Sequence, residues 1–144
     1  MIKMIVGILL LHTFLYAKPV ITPEVKNLLK EAKTTTSAVD AAKTKELIAN
    51  GKVVLIDVRN PDEWEKGVIK ADKLIKISRG WLEIKYSKLI LNAYAKNDHF
   101  IVYCGIEPRA VLAASRLKEL GFTNVSYLQG GIKNWVKIGY ETTK

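Results

Sequence analysis

The single cysteine of the chain, Cys104, is followed closely by Arg109, a nucleophile and a cation within one short stretch. A cysteine thiolate is a nucleophile, and an arginine can hold an oxyanion through two parallel N–H bonds. Four residues separate them, Gly105-Ile106-Glu107-Pro108. The apolar run Phe100-Ile101-Val102-Tyr103 ends at the cysteine and predicts a buried strand. The run from Arg109 to Leu120 predicts a helix that stops at Gly121. A thiol between a strand end and a helix N-terminus meets unpaired backbone N–H groups and the positive end of the helix dipole. Both favour the thiolate. The opposing reading is a small buried apolar residue, because free cysteines are often buried and inert.

The elements that must position this pair follow from pattern. Thr22-Pro23-Glu24 reads as an N-cap, a proline in the first turn and an acidic residue, opening a helix to about Lys33. Thr34 to Ser37 reads as a polar linker, with the main domain beginning near Ser37. Asp40 caps a helix through Leu47 and Ile48, stopped at Asn50-Gly51. Val53 to Ile56 is a β-branched run and predicts a strand. Asn60-Pro61-Asp62-Glu63 opens a short helix with a capping box, ended by Gly67. Strands are also predicted at Leu74–Ile77 and Val125–Leu128, irregular helix from Arg79 to Ala95, and a short helix carrying Trp135 after Gly130-Gly131. Strands alternating with helices predict an α/β domain with a mostly parallel sheet. Ligands then bind beyond the strand C-termini, where both Asp57 and Cys104 fall.

The 144 residues allow one ordinary domain. Lys3, the apolar stretch Met4 to Tyr16 broken by His12 and Thr13, and the small Ala17 predict an export signal over 1–17. An uncleaved anchor is the alternative. Residues 18–37 form an N-terminal helix and linker, and 38–144 the domain. Cleavage after Ala17 leaves 144 − 17 = 127 residues and a net charge of 22 − 14 = +8. The chain is then periplasmic or otherwise exported, with no stable membrane insertion once the signal is removed. Exported cysteines usually pair, and a single one cannot pair within the chain. That points to a reactive thiol or an intermolecular partner. The lysines are scattered without a dense block or aromatic interleaving, so nucleic-acid binding is not expected. One cysteine and two histidines, His12 and His99, suggest no metal.

Several segments coincide in order: Asp57-Val58-Arg59, Pro61, Glu63-Trp64, Gly67-Val68-Ile69, Val102-Tyr103-Cys104 with Arg109, Leu120-Gly121-Phe122, Asn124-Val125, Leu128 to Ile132, Trp135 and Gly139-Tyr140. Together they resemble the single-domain rhodanese family of sulfurtransferases, over about Val39 to Tyr140. The resemblance implies a central, mostly parallel five-stranded sheet flanked by helices. It implies that Cys104 takes a sulfane sulfur from thiosulfate, polysulfide or a persulfide, holds it as a persulfide, and passes it to a thiol or protein acceptor. It also implies that the loop from Gly105 through Ile106, Glu107, Pro108 and Arg109 to Ala110 binds substrate. No cofactor is required.

Cysteine-dependent phosphatases resemble this arrangement but place five residues between cysteine and arginine. The four here make a narrower cradle, suited to sulfur.

Glu107 departs from the glycine that is common in the family, and Pro108 removes one N–H donor. An inward carboxylate would repel an anionic donor and make thiosulfate a poor substrate. A solvent-facing one would only favour the following helix. Val68 stands where the family usually has histidine, and Lys70-Ala71-Asp72 replaces a small pair.

Arg109 is the expected substrate arginine, against a structural reading in which it ties the loop to a carboxylate. Arg79 is placed at the mouth of the site, against a solvated arginine beside a packed Trp81. Asp57, Arg59 and Glu63 are expected to be structural, with Asp57 accepting turn N–H groups and Arg59 pairing with Glu63 or another carboxylate. Two other functions remain open. One is a rhodanese-like module that carries sulfur or binds a partner without turnover. The other is a thiol redox protein, which the absence of a resolving cysteine disfavours.

Overall fold

The computed structural model describes residues 21–144. The expected export signal over 1–17, and His12 within it, lie outside the described residues. The strands are β1 Ser37–Val39, β2 Val54–Asp57, β3 Val68–Ile69, β4 Leu74–Lys76, β5 Phe100–Tyr103, β6 Val125–Leu128 and β7 Thr142–Thr143. The helices are α1 Pro23–Thr35, α2 Ala41–Ala49, α3 Pro61–Trp64, α4 Leu82–Leu89, α5 Pro108–Glu119 and α6 Gly131–Lys137. Five strands form one sheet in the order β1-β6-β5-β2-β4, every neighbouring pair parallel. β3 and β7 form a small antiparallel pair.

Side-chain alternation along the strands makes two apolar layers. Val54, Ile56, Phe100, Val102, Val125 and Tyr127 face one side, with α5, Ala32 of α1 and Leu82 of α4. Leu55, Ile101, Tyr103 and Leu128 face the other, with Ala41 of α2 and Ile132 and Trp135 of α6. The middle strands are buried on both faces, as their uninterrupted apolar sequences require. Cys104 continues the alternation of β5 by one residue, so it falls in the α5 layer.

The connections fix where a ligand crevice can be. β2 continues to β4 on one side, and β5 continues to β6 on the other. The adjacent C-termini of β2 and β5 are therefore the topological switch point. Asp57 pairs with Tyr103 in register there, which sets Val58 beside Cys104.

The stretch read as a polar linker is structured instead. Thr35 ends α1 and Ser37 opens the edge strand β1. The hydroxyls of Thr35 and Thr36 donate to the carbonyl of Ala32, at 3.0 and 2.8 Å, satisfying the open end of the helix. The hydroxyls of Ser37 and Ser126 lie 3.1 Å apart across β1 and β6. Leu29 and Ala32 seat α1 on the core beside α5. Trp81 is not packed but 53% exposed, with Lys85 Nζ 4.4 Å from its ring centre. The turn over Arg79–Trp81 sends the next residue, Leu82, into the core in its place.

Candidate active site

β5 delivers Cys104 to the switch point, and the residue is 1% exposed. The loop Gly105–Glu107 then runs into α5, which begins at Pro108. Among the described residues, the backbone N–H groups of Gly105, Ile106, Glu107 and Arg109 have no backbone or side-chain acceptor. They are the open donors of a helix N-terminus and the turn before it, and such donors bind anions. Pro108 contributes none.

The loop is held from below by α6. Ile132 N–H donates to Cys104 O at 2.9 Å, and Lys133 N–H donates to Gly105 O at 3.0 Å. This contact needs the backbone of Gly131 itself. Its φ is +60°, and a Cβ there would stand 2.5 Å from Cys104 O and 2.7 Å from Gly105 O. Gly131→Ala is therefore expected to cost about 1–3 kcal/mol from strain and overpacking, and to disturb the loop. Gly80→Ala is the control, because a Cβ there meets nothing within 4 Å. Equal denaturant midpoints for the two variants would refute the close-packing argument.

Arg109 is gripped by Glu63. Its Nη1 lies 2.7 Å from Glu63 Oε2 and its Nη2 lies 2.8 Å from Oε1. Glu63 in turn accepts from Asn60 N–H at 3.1 Å, closing the capping box of α3. The guanidinium holds the Glu63 carboxyl at about 2, against an ordinary 4.5. The hydrogen bond to Glu63 raises the pKa of Arg109, and the nearby Cys104 adds to that shift. Arg109 is thus tied to a carboxylate, as its structural reading expects, and stands beside the thiol.

The sign of the pH effect follows. Glu63 binds its proton more readily in the unfolded chain. The pair's contribution to stability is complete above pH 4.5 and is lost as pH falls towards about 2. Glu63→Gln is expected to be less stable than wild type at pH 7, with the gap closing through that window. Urea midpoints at pH 7, 4.5 and 3 measure it, and a gap independent of pH would sink the assignment.

Arg59 does not pair with the Glu63 carboxylate, which Arg109 already occupies. Its Nη2 lies 2.7 Å from Asp57 Oδ2 and its Nε lies 3.0 Å from Oδ1. It also donates to the carbonyls of Glu63 at 3.2 Å and Gly67 at 2.7 Å. Asp57 accepts the Arg59 N–H at 3.0 Å, as expected of a carboxylate below a turn.

Glu107 neither points at the thiol nor stands free in solvent. Its Oε1 accepts from Lys33 of α1 at 2.7 Å, and its Oε2 accepts from Gly130 N–H at 3.2 Å. The expectation that it repels anionic donors lacks its premise, because the carboxylate is paired and turned to α1 and α6. Arg79 is not brought to the loop. Its Nη1 holds Glu83 at 3.1 Å, and Glu83 also holds Arg116, two turns along α5 from Arg109. The chain leaves β4, makes one 3₁₀ turn and lays Arg79 against the middle of α5.

A groove of about 500 Å³ lies between α3 and α4, lined by Pro61, Trp64, Ile77, Trp81, Lys85 and Leu89 among others, and none of the loop residues faces it. Lys33 and the Gly130 N–H are the contacts that sequence reasoning did not supply. Tyr103 is another: its phenol oxygen accepts from Ile69 N–H at 3.2 Å, and burial with the Asp57 charge pushes its pKa far up.

A model of the rhodanese-like domain matches residues 40–138. The chain belongs to the rhodanese-like family. The polysulfide-sulfur transferase homodimer of Wolinella succinogenes is similar in structure, with a TM-score of 0.70 and 29% identity over 83% of this chain and 87% of that one. A Rhodopseudomonas palustris protein of unknown function, described as a possible tyrosine phosphatase, gives a TM-score of 0.71 at 28% identity, over 88% of this chain and 99% of that one. The tRNA uridine(34) hydroxylase of Prochlorococcus marinus is 34% identical over 110 residues, 72% of this chain. This chain spans 34% of that hydroxylase and 21% of an adenylyltransferase/sulfurtransferase relative from Mycobacterium tuberculosis. The rhodanese-like fold accounts for the five-stranded parallel sheet flanked by helices, and α1 lies outside the matched segment.

Proposed function

We propose that this chain is an exported sulfurtransferase that carries a sulfane sulfur on Cys104. The observation that carries the reading is the loop from Cys104 to Arg109, a lone thiol followed by N–H groups without acceptors and by an arginine. With thiosulfate, the Cys104 thiolate attacks the outer sulfur. A Cys104 S–S bond forms, the sulfur–sulfur bond of thiosulfate breaks, and sulfite leaves with the electron pair. With polysulfide the leaving group is the chain shortened by one sulfur. The persulfide anion rests against the loop N–H groups. An acceptor thiolate then attacks the terminal sulfur, takes it as its own persulfide and releases the Cys104 thiolate. Arg109, whose two Nη atoms are held by Glu63, stays charged throughout and adds a fixed positive charge beside the thiolate.

Polysulfide and thiosulfate are the donors proposed, since a structurally similar protein is a polysulfide-sulfur transferase and a Schizosaccharomyces pombe relative, 31% identical over 94 residues, is described as a thiosulfate sulfurtransferase. A phosphatase activity is not proposed, because only four residues separate Cys104 from Arg109. The burial of Cys104, at 1% exposure, favours a second reading, a sulfur-carrying or partner-binding module without rapid turnover.

Intact-protein mass spectrometry after exposure to each donor tests the proposal. The expected species is one sulfur atom heavier and reverts on adding cyanide or a thiol. No adduct from either donor, on folded and reduced protein, would overturn it. Slow reversal with every acceptor would select the carrier reading. The same spectrum, taken on the chain isolated from its native compartment, shows whether residues 1–17 have been removed.

A further inference from the structure

Lys33 lies on α1, before residues 40–138 that the domain model matches, yet it reaches the reactive loop. Its Nζ is 2.7 Å from Glu107 Oε1. The other oxygen of Glu107 accepts from Gly130 N–H. That N–H precedes the Gly131 backbone on which Cys104 and Gly105 rest. One carboxylate therefore links α1, the loop and the start of α6. The helix that brings the lysine is anchored independently. Leu29 and Ala32 pack on the core, and Thr35 Oγ1 lies 3.2 Å from Ser115 Oγ on α5. Lys33 itself is half exposed, while Glu107 is 24% exposed.

We infer that Lys33 is a specificity-determining residue of the Cys104 site, neutralising Glu107 so that the loop accepts anionic sulfur donors. This rests on the reading that Cys104 is the reacting group. Glu107 sits three residues from the thiol, inside a loop whose free N–H groups would bind the donor. Without Lys33, its negative charge would oppose every anionic reagent approaching that loop. A neutral reagent would not feel the same opposition. The chain thus keeps a carboxylate in its loop, which ties the loop to α6, and cancels the charge from α1.

The test uses the full chain and its single cysteine. Cys104 is alkylated with anionic iodoacetate and, separately, with neutral iodoacetamide, and the ratio of the two rates is measured. The ratio removes any change in thiolate fraction, which affects both reagents alike. Lys33→Ala is expected to lower the iodoacetate-to-iodoacetamide ratio about three- to tenfold at low ionic strength. The effect should shrink in about 0.5 M salt, where screening is strong. Lys33→Arg should keep the wild-type ratio. Glu107→Gln alone leaves Lys33 unbalanced and should raise the ratio, and the double variant, which carries neither charge, should return to near the wild-type ratio. KM for thiosulfate should rise in Lys33→Ala and fall back in the double variant. An unchanged ratio in Lys33→Ala, or a double variant whose ratio stays as low as that of Lys33→Ala, would overturn the inference alone. Wild-type Cys104 inert to both reagents would overturn the functional reading, and the inference with it.

Discussion

Cys104→Ser is expected to abolish sulfur transfer, with kcat/KM falling on the order of a thousandfold or more. The size of the effect follows from the chemistry. Every step of the proposed cycle makes or breaks a bond at the cysteine sulfur. A serine hydroxyl is not ionised near neutral pH and forms no persulfide. No other thiol exists in the chain to replace it. The substitution keeps the shape of the side chain at a position that is 1% exposed. The new hydroxyl is buried in the apolar α5 layer, where an unmade hydrogen bond has a cost. Stability should therefore fall by about 1–3 kcal/mol. Donor turnover, followed as sulfite release, and the thermal midpoint measured on the same sample separate loss of chemistry from loss of fold. Turnover retained in the folded variant would remove Cys104 from the mechanism.

The parts of this site that the sequence displays are those built from neighbours in the chain. Phe100 to Tyr103 followed by Pro108 fixes the strand, the loop and the helix start, so Cys104 is placed by local pattern alone. The capping box of Asn60 and Glu63 is equally local. Partner choice among charges is different. Three arginines and several carboxylates stand near the switch point, and their pairing depends on which backbone atoms the fold brings close. Arg59 takes Asp57 because the two are adjacent at one strand end, which leaves Glu63 to Arg109 across 46 residues. Lys33 and Glu107 are 74 residues apart, and nothing in either local sequence announces the pair. β1 was hidden for another reason. Ser37-Ala38-Val39 is short and half polar, and it becomes a strand only because β6 offers it an edge.

Asp57→Asn is expected to be the most destabilising of the substitutions considered, by about 3–5 kcal/mol. The Asp57 side chain is fully buried, and that of Arg59 is 6% exposed. Arginine stays charged under any ordinary condition, so removing the carboxylate strands a cation in the interior. Burial works against the charged form of Arg59, while the hydrogen bond and charge of Asp57 favour it, and the Arg59 pKa ends raised. The loss should reach the reactive loop as well. Arg59 also holds the carbonyls of Glu63 and Gly67, and Glu63 holds Arg109. Denaturant unfolding of the single variant and of the paired Asp57→Leu, Arg59→Met variant measures the two parts. The double variant should recover much of the stability, because no unpaired charge remains, but not the positioning of Glu63. Its persulfide formation should stay slower than wild type even where its unfolding midpoint approaches it. Equal stability of Asp57→Asn and wild type would show that Arg59 reaches solvent, and that the buried pair does not anchor the crevice.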